Sequence, residues 1–274
     1  MPELPEVETV KNGLKPIIGS KLKGFIVHKD GWRKPVPVDK LTAHIGKPII
    51  DTYRRAKWPA LVFEDGCLWM HLGMSGQIRL FNSDKNLPPL EKHDHIELFF
   101  EDGKVIRFKD ERRFGIVAWT DHPYSEPPSS EKLGPEPFDP EWDDAYFYKQ
   151  LSQHKTPIKP FIMNAKIVVG VGNIYASEAL FLAKISPLKP ANTLTKEDAS
   201  NLREKIIQVL QAGIKGGGST LKDHRMANGE IGDYQNSHTV YGKEGRPCVV
   251  CGTPIVKITQ ATRSTFYCPS CQSD

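Results

Sequence analysis

The sequence lacks any apolar run as long as a membrane-spanning helix, which needs about 20 residues. The 274-residue chain also opens without the basic segment and apolar stretch of a secretion signal. Neither membrane insertion nor secretion is indicated, and we expect a cytoplasmic protein with no membrane partner. Internal repeats and long low-complexity tracts are absent too, so a repeat architecture is not indicated.

An excess of charge of one sign is also missing. The 37 Lys and Arg residues nearly balance 33 Asp and Glu residues, which leaves a formal net charge of +4. Such a small positive excess permits a polyanionic partner but does not require one.

Cysteine is scarce, with five residues in the chain. Cys67 lies in the apolar stretch 67–70, which predicts a buried core thiol. The other four lie between Cys248 and Cys271, which is the arrangement of a metal site rather than of a disulfide framework.

These four cysteines form two CxxC motifs, Cys248–Cys251 and Cys268–Cys271, separated by residues 252–267. That spacing predicts a tetrahedral Cys₄ zinc site on a β-hairpin. So short a segment cannot bury a stable core, so the metal must supply most of the local folding free energy. Four thiolates leave no open position, which makes the predicted zinc ion structural. A pair of redox motifs is the alternative interpretation.

The length suits two domains and an appendage. In residues 1–125, the dipeptides Asp65-Gly66 and Asp102-Gly103 each separate two apolar runs, which is a strong signal for a β-hairpin. Two hairpins with further strands predict a β-sandwich or barrel. The Pro-rich stretch 126–143 is interpreted as a linker.

Helical patterns follow the linker at 144–154, 174–183 and 196–215. They predict a helical domain over 144–236, followed by a zinc-binding segment over 237–274. Within the helical domain, the glycine turn 170–172 directly precedes a helix that can begin at Asn173. The free N–H groups of such a helix start suit a phosphate, whereas Asn173 could instead cap its own helix.

The first residues offer a candidate nucleophile. If Met1 is removed, Pro2 becomes a terminal secondary amine, which can attack a sugar aldehyde carbon and form a cationic iminium. An α-amino group titrates near pH ~8, so a useful fraction is unprotonated at neutral pH. Glu3 and Glu6 lie within one turn of this amine if a helix starts at Pro5. Alternatively, the prolines merely begin a helix and the glutamates complement its dipole.

Residues 1–9 resemble the opening of bacterial formamidopyrimidine-DNA glycosylase, which removes 8-oxoguanine and ring-opened purines. The resemblance implies that Pro2 is the nucleophile at C1′ and that Glu3 is its acid–base partner, with Glu6 supporting the site. Related endonuclease VIII enzymes usually carry Gly where this chain has Leu4, so the purine-lesion branch is favoured. The resemblance extends through the whole chain, including residues 133–137 after the β-rich domain.

Three further segments carry the resemblance in the β-rich domain. Lys57 matches a lysine near the nucleophile and the flanking phosphate, although the family usually has Gly at Ala56 and a Tyr/Phe-Leu pair at 58–59. A surface Arg/Lys cluster beside a strand is the alternative interpretation of this segment.

Met74, Arg112 and Phe114 match the trio that fills the space left by an everted nucleotide, a space that apolar wedges and a guanidinium can occupy. In the family pattern Arg112 pairs with the orphaned cytosine and Phe114 wedges the stack. Met74 and Phe114 could instead be core residues, but their glycine-flanked positions favour exposed loop tips.

In the second half of the chain, the resemblance implies that Asn173 grips the DNA backbone and that Arg263, at the hairpin tip, contacts phosphates flanking the lesion. An arginine at a hairpin tip is otherwise simply solvated. The loop after Gly216 would close over the everted base, with Lys222 as a candidate contact.

Together these observations predict an α+β multidomain protein. It comprises an N-terminal β-sandwich with a flanking helix, a helix-two-turn-helix domain and a C-terminal zinc-ribbon hairpin. The resemblance implies a monomeric, nucleoid-associated DNA glycosylase and abasic lyase that acts on double-stranded DNA containing an oxidised purine. One structural Zn²⁺ and no organic cofactor are expected. The alternatives are an endonuclease VIII-like enzyme for oxidised pyrimidines and a non-catalytic, zinc-dependent DNA-binding protein.

Overall fold

The computed structural model describes residues 1–29, 34–219 and 232–273. These residues form two compact units, Met1–Ser130 with Gly216–Asp233, and Glu131–Lys215 with Tyr234–Asp274. The division after Ser130 falls within the stretch interpreted as a linker. Among the described residues, no helix combines the length and apolar character needed to span a bilayer.

The described residues of the first unit form two four-stranded antiparallel sheets, in the orders β1-β6-β7-β5 and β2-β3-β4-β8. Their strands are β1 (Leu22–Val27), β2 (Asp51–Arg55), β3 (Trp58–Phe63), β4 (Gly66–His71), β5 (Gln77–Phe81), β6 (Asp94–Phe100), β7 (Val105–Lys109) and β8 (Ile116–Thr120). The unit also contains the helices α1 (Leu4–Gly13) and α2 (Val38–Ala43) and the 3₁₀ turns Lys15–Ile17 and Asp84–Asn86.

The two sheets share one apolar core. Leu68 and Met70 of β4 pack in the same buried cluster as Ile96 and Leu98 of β6, since alternate residues of a strand point to the same face. Helix α1 joins this core through Val7 and Val10, and Leu14, its C-cap residue, packs there as well; each is at most 1% exposed. The predicted β-sandwich with a flanking helix is therefore confirmed.

Both predicted hairpins are present. The β3–β4 register closes with Phe63 opposite Gly66, and β6–β7 turns at Gly103, whose φ of +85° favours glycine. Pro59 lies in β3, although proline cannot donate a ladder hydrogen bond. It pairs with Arg54 of β2, and the β3–β4 register begins only at Ala60. Pro59 thus lies in the part of β3 that pairs with β2 but not with β4, where a missing N–H donor is tolerated.

The second unit contains four α-helices among its described residues. They are α3 (Asp144–Ser152), α4 (Ile158–Ile162), α5 (Asn173–Ala183) and α6 (Lys196–Lys215), with 3₁₀ turns at Ala191–Thr193 and Tyr234–Ser237. The three helices predicted from periodicity correspond to α3, α5 and α6. The apolar side chains Leu202, Ile206, Val209 and Leu210 of α6 are buried.

A hairpin of β9 (Val256–Gln260) and β10 (Arg263–Tyr267) completes the second unit. Phe266 of β10 packs with Phe181 of α5 in a small core that also contains Cys248 and Cys268. The zinc-binding hairpin thus shares a core with the helical part rather than standing apart from it.

Residues 216–219 and 232–233 group with the β-rich unit, although the sequence prediction assigned them to the helical domain. The Ser219 N–H donates a 2.7 Å hydrogen bond to Glu6 Oε1. A buried backbone donor requires such a partner, so this contact with α1 draws the segment to the first unit.

Candidate active site

The chain start is buried although Met1 itself is 48% exposed. Glu3 is 4% exposed and Glu6 is 2% exposed, and Pro2 is buried as well. Helix α1 begins at Leu4, with Glu3 as its N-cap. The expected start at Pro5 is therefore wrong by one residue, because Glu6 Oε2 accepts the Glu3 N–H at 2.8 Å and fixes Glu3 as the cap.

Glu6 uses both carboxylate oxygens. Oε2 binds Glu3, and Oε1 accepts the Ser219 N–H at 2.7 Å. Gly218, with φ of +82°, lies so close that a Cβ there would come within 3.0 Å of Glu6 Cγ. The side chain therefore fastens the chain start to residues 218–219, a long-range contact with no signal in the local sequence.

Lys57 lies half-buried in the two-residue turn between β2 and β3. Ala56 in the same turn has φ of +54°, the left-handed region in which glycine is unstrained. The turn is tied to α1 by Arg54, whose Nε donates to Glu8 Oε2 at 2.6 Å and whose Nη1 donates to the Ala56 carbonyl at 2.9 Å. Arg54 thus holds the Lys57 turn against the first helix.

This arrangement affects the acidity of Glu8. Burial by itself would raise the pKa of the Glu8 carboxyl, but hydrogen bonds and charge attraction from Arg54 and Lys11 lower it below its ordinary value. Arg54 belongs to a partly buried ion pair, which differs from the solvated Arg/Lys cluster that was the alternative interpretation of this segment.

A chain of contacts runs from the Lys57 turn to Met74. The neighbouring Trp58 packs on His71 with ring centroids 4.6 Å apart. His71 Nδ1 accepts the Gly73 N–H at 3.1 Å, so the ring is tied to the residue before Met74.

Met74 and Phe114 lie at the tips of two adjacent loops, residues 72–76 and 110–115, which we call the paired loops. Their side chains are 47% and 43% exposed, so neither is a core residue. The guanidinium carbon of Arg112 lies 4.7 Å from the centroid of the Phe114 ring, a cation–π distance. The paired loops thus present an apolar pair and a planar cation on one surface.

In the second unit, Asn173 is the first residue of α5 and Gly172 is the N-cap, without a side-chain cap. The Asn173 side chain instead donates from Nδ2 to the Ser264 carbonyl at 2.8 Å. Lys159, 1% exposed, donates to Asn173 Oδ1, to the Ser264 carbonyl and to Thr265 Oγ1. Sequence reasoning did not single out Lys159, because one lysine in the short helix α4 carries no periodic signal.

Arg263 is exposed at the start of β10, directly after the two-residue tip of the hairpin. The tip residues Ala261 and Thr262 have φ of +46° and +65°, a conformation more typical of Asn-Gly. Ser264 connects Arg263 to the start of α5 through its contact with Asn173. Lys222 lies outside the described residues.

The four predicted ligands converge. The Sγ atoms of Cys248, Cys251, Cys268 and Cys271 all lie within 4.8 Å of one another. Tetrahedral coordination with Zn–S of about 2.3 Å places sulfurs about 3.8 Å apart; the Cys248–Cys271 and Cys251–Cys268 separations are 3.9 and 3.4 Å. These distances are too long for disulfides and fit one structural zinc ion.

The fifth cysteine is separate from this cluster. Cys67 is fully buried, which confirms the predicted core thiol. Burial raises the pKa of its thiol, even though the Tyr124 N–H donates to the sulfur.

Comparison with known proteins covers the whole chain. Family models match for the formamidopyrimidine-DNA glycosylase N-terminal domain over residues 1–117, its H2TH domain over 133–225, and the zinc finger found in FPG and IleRS over 245–273. A formamidopyrimidine-DNA glycosylase of Methylobacillus flagellatus is 43% identical over 272 residues, which cover 99% of this chain and 96% of the relative.

Solved structures agree with the sequence relatives. The MutM (FPG) protein of Thermus thermophilus superposes with a TM-score of 0.87 at 37% identity, covering 100% of this chain and 99% of that one. A Lactococcus lactis FPG variant in complex with Fapy-dG-containing DNA gives a TM-score of 0.87 at 36% identity, with 100% of both chains covered.

Proposed function

Because the chain belongs to the formamidopyrimidine-DNA glycosylase family, we propose that Pro2 is the nucleophile with which it excises oxidised purines from duplex DNA. Abasic-site lyase activity is characteristic of this family, and we assign it to the same residue. The observation that carries the assignment is the buried start of α1, where Pro2 and Glu3 directly precede the helix and Glu6 binds the Glu3 backbone.

Removal of Met1 frees the secondary amine of Pro2. The nitrogen attacks C1′ of the damaged nucleotide, the C1′–base bond breaks, and the base leaves with its electron pair and a proton. Glu3 protonates the ring oxygen, so the sugar opens and a Pro2–C1′ iminium remains. The iminium acidifies C2′–H, and loss of that proton expels the 3′ phosphate. A second elimination expels the 5′ phosphate and leaves a one-nucleotide gap.

Two charged residues support this chemistry from nearby positions. Glu6 positions Glu3 by accepting its backbone N–H at 2.8 Å. Lys57 contributes a cation beside the phosphate that flanks the nucleophile, and the Arg54–Glu8 ion pair holds the Lys57 turn to α1. Each role rests on the family pattern together with these contacts.

The paired loops replace the everted base. Met74 and Phe114 enter the space in the stack, and Arg112 pairs with the orphaned cytosine, which offsets a few kcal/mol of lost stacking. Their exposure and the Arg112–Phe114 stacking support this role.

In the second unit, Asn173 and Arg263 bind phosphates of the damaged strand. The zinc ion holds the hairpin that carries Arg263, and the Asn173–Ser264 hydrogen bond links that hairpin to α5. Lys222 is a further candidate contact to the lesion. We propose a monomer that works on nucleoid DNA in the bacterial cytoplasm.

Borohydride trapping on defined duplexes tests the nucleophile and the lesion class. Duplexes containing 8-oxoguanine opposite cytosine should give rapid strand cleavage and a reduced covalent adduct that peptide mapping places on Pro2. A faster reaction on thymine glycol opposite adenine would indicate an endonuclease VIII-like specificity. No adduct on either duplex would indicate a binding protein without catalysis.

The mature chain start provides an independent test. Mass spectrometry should find a protein that lacks one methionine, because an uncleaved Met1 would acylate the nucleophilic nitrogen. Pro2→Thr should abolish the native adduct while DNA binding largely remains. Cleavage by this variant at the native rate would mean that another residue attacks the sugar.

A further inference from the structure

The paired loops are short and carry their functional side chains at exposed tips. Residues that insert into a base stack must be held in one conformation, since ordering them on binding costs about 0.5–1.5 kcal/mol for each immobilised side chain. Met74 lies in one loop, and Arg112 and Phe114 lie in the other. Some interaction must therefore hold the two paired loops in a fixed position relative to each other.

Asp110 is the buried group that joins the two loops. It is 0% exposed, and its Oδ1 accepts the Ser75 hydroxyl at 2.7 Å and the Arg112 N–H at 3.2 Å. Its Oδ2 accepts the Gly115 N–H at 2.7 Å. The donors are thus the residue after Met74, the arginine itself and the residue after Phe114.

The backbone of Asp110 is itself fixed to the sandwich. Its N–H donates to the His93 carbonyl at 2.9 Å, and its carbonyl accepts from His95 Nε2 at 2.8 Å. Because a carbonyl only accepts, His95 carries its proton on Nε2. The carboxylate is therefore presented from a rigid base next to β6.

The backbones of the paired loops also touch directly. A Cβ on Gly73 would come within 2.6 Å of the Phe114 carbonyl carbon, and one on Gly115 would lie 3.0 Å from Asp110 Oδ2. Contacts this close leave no room for a side chain or for water. The Asp110 hydrogen bonds therefore act where the two loops meet.

We propose that Asp110 is a positioning residue that presets Met74, Arg112 and Phe114 for insertion into DNA. The carboxylate form is required because its two oxygens serve three donors. In an asparagine, one oxygen is replaced by an NH₂ group. If that group faces Gly115, the Gly115 N–H loses its acceptor; if it faces Ser75, the Ser75 hydroxyl loses its acceptor and the Arg112 N–H keeps only its 3.2 Å bond to Ser75 Oγ. This inference rests on the function proposed above for the paired loops.

The test compares Asp110→Asn with Glu111→Gln on two duplexes. Glu111 is exposed, and its substitution removes the same negative charge from the adjacent position, which controls for electrostatic attraction to DNA. One duplex contains 8-oxoguanine opposite cytosine. The other contains a preformed abasic site, where no base must leave the stack.

Asp110→Asn should slow single-turnover cleavage of the 8-oxoguanine duplex by about tenfold or more, the scale of one hydrogen bond to a charged group. On the abasic duplex its rate should fall by less than about threefold, since less stacking is lost there. The fluorescence rise of 2-aminopurine placed beside the lesion should slow in parallel. Glu111→Gln should leave both the rate ratio and the fluorescence unchanged.

An equal loss on both duplexes, or no loss on either, would overturn the proposal. If Asp110→Asn does not fold, Ser75→Ala decides the matter, because it leaves the carboxylate but removes the hydroxyl that donates to Asp110 Oδ1 and accepts the Arg112 N–H at 3.2 Å. It should slow cleavage of the 8-oxoguanine duplex more than that of the abasic duplex, with a smaller loss than Asp110→Asn. Inactivity of the unmodified protein on both duplexes would instead refute the proposed function. The two failures are therefore distinguishable.

Discussion

Replacement of Glu6 by glutamine tests how strongly the chain start is held. Glu6 is 2% exposed and accepts two backbone hydrogen bonds, from Glu3 at 2.8 Å and from Ser219 at 2.7 Å. Glutamine has nearly the same shape but only one acceptor oxygen. One buried N–H must therefore face an amide NH₂ group.

The expected loss follows from these contacts. A buried N–H without an acceptor costs about 1–3 kcal/mol. The remaining bond loses its charge assistance, which roughly halves its strength. We therefore expect Glu6→Gln to lower the free energy of unfolding of the first unit by about 2–4 kcal/mol.

Urea denaturation followed by tryptophan fluorescence measures this change. With a slope of about 2 kcal/mol per molar urea, the midpoint should fall by about 1–2 M. Glu101→Gln is the matched control, since this glutamate is exposed in the same unit and should shift stability by less than about 0.5 kcal/mol. A Glu6→Gln midpoint equal to that of the control would refute the stabilising role of these hydrogen bonds.

Three further outcomes are expected. Cys268→Ser should lower the zinc content from one ion per chain and weaken DNA binding, because the hairpin has little core without metal; full zinc content measured by elemental analysis would contradict this. Replacing Ala261 by Asn together with Thr262 by Gly should raise the free energy of unfolding of the hairpin by about 1 kcal/mol, because both positions have positive φ. The double variant should therefore retain zinc to a higher temperature, and unchanged zinc retention on heating would contradict this prediction. Finally, the pKa of the Glu8 carboxyl is lower in the folded chain than its ordinary value, so the ionised form stabilises the fold at pH values above the unfolded pKa, and the benefit disappears as pH falls through the folded pKa. The stability difference between the native protein and Glu8→Gln should therefore shrink in acid, and a constant difference from pH 7 to pH 3 would exclude the ion pair as its source.

Several features could be predicted because their causes are local. Asp65-Gly66 predicted the β3–β4 hairpin, and the apolar period of 196–215 predicted α6 with its bounds. The two CxxC motifs predicted four sulfurs around one metal, and in the structure the four sulfurs lie within 4.8 Å of one another. In each case a turn, a helical period or a ligand spacing is set within a short stretch of chain.

The details of the candidate site could be predicted less well. The sequence left open whether Asn173 caps its own helix or serves another role, and the structure shows its amide bonded to Ser264, 91 positions away. The sequence also gave no reason to single out Lys159, whose ammonium group binds Thr265 in β10, the strand that contains Ser264. The sequence suggested a helix that starts at Pro5, whereas α1 starts at Leu4 in the structure. The hydrogen bond from the Glu3 N–H to the Glu6 side chain outweighs the preference of proline for the first helical position.

The sequence by itself therefore determined the order of elements, the metal ligands and the family pattern that points to Pro2. Only the tertiary structure decided which buried carboxylates hold those parts in place. Glu6 meets Ser219 across 213 positions, and Asp110 meets Ser75 across 35. Such contacts form only after the core has brought distant segments together, so no local propensity or spacing records them.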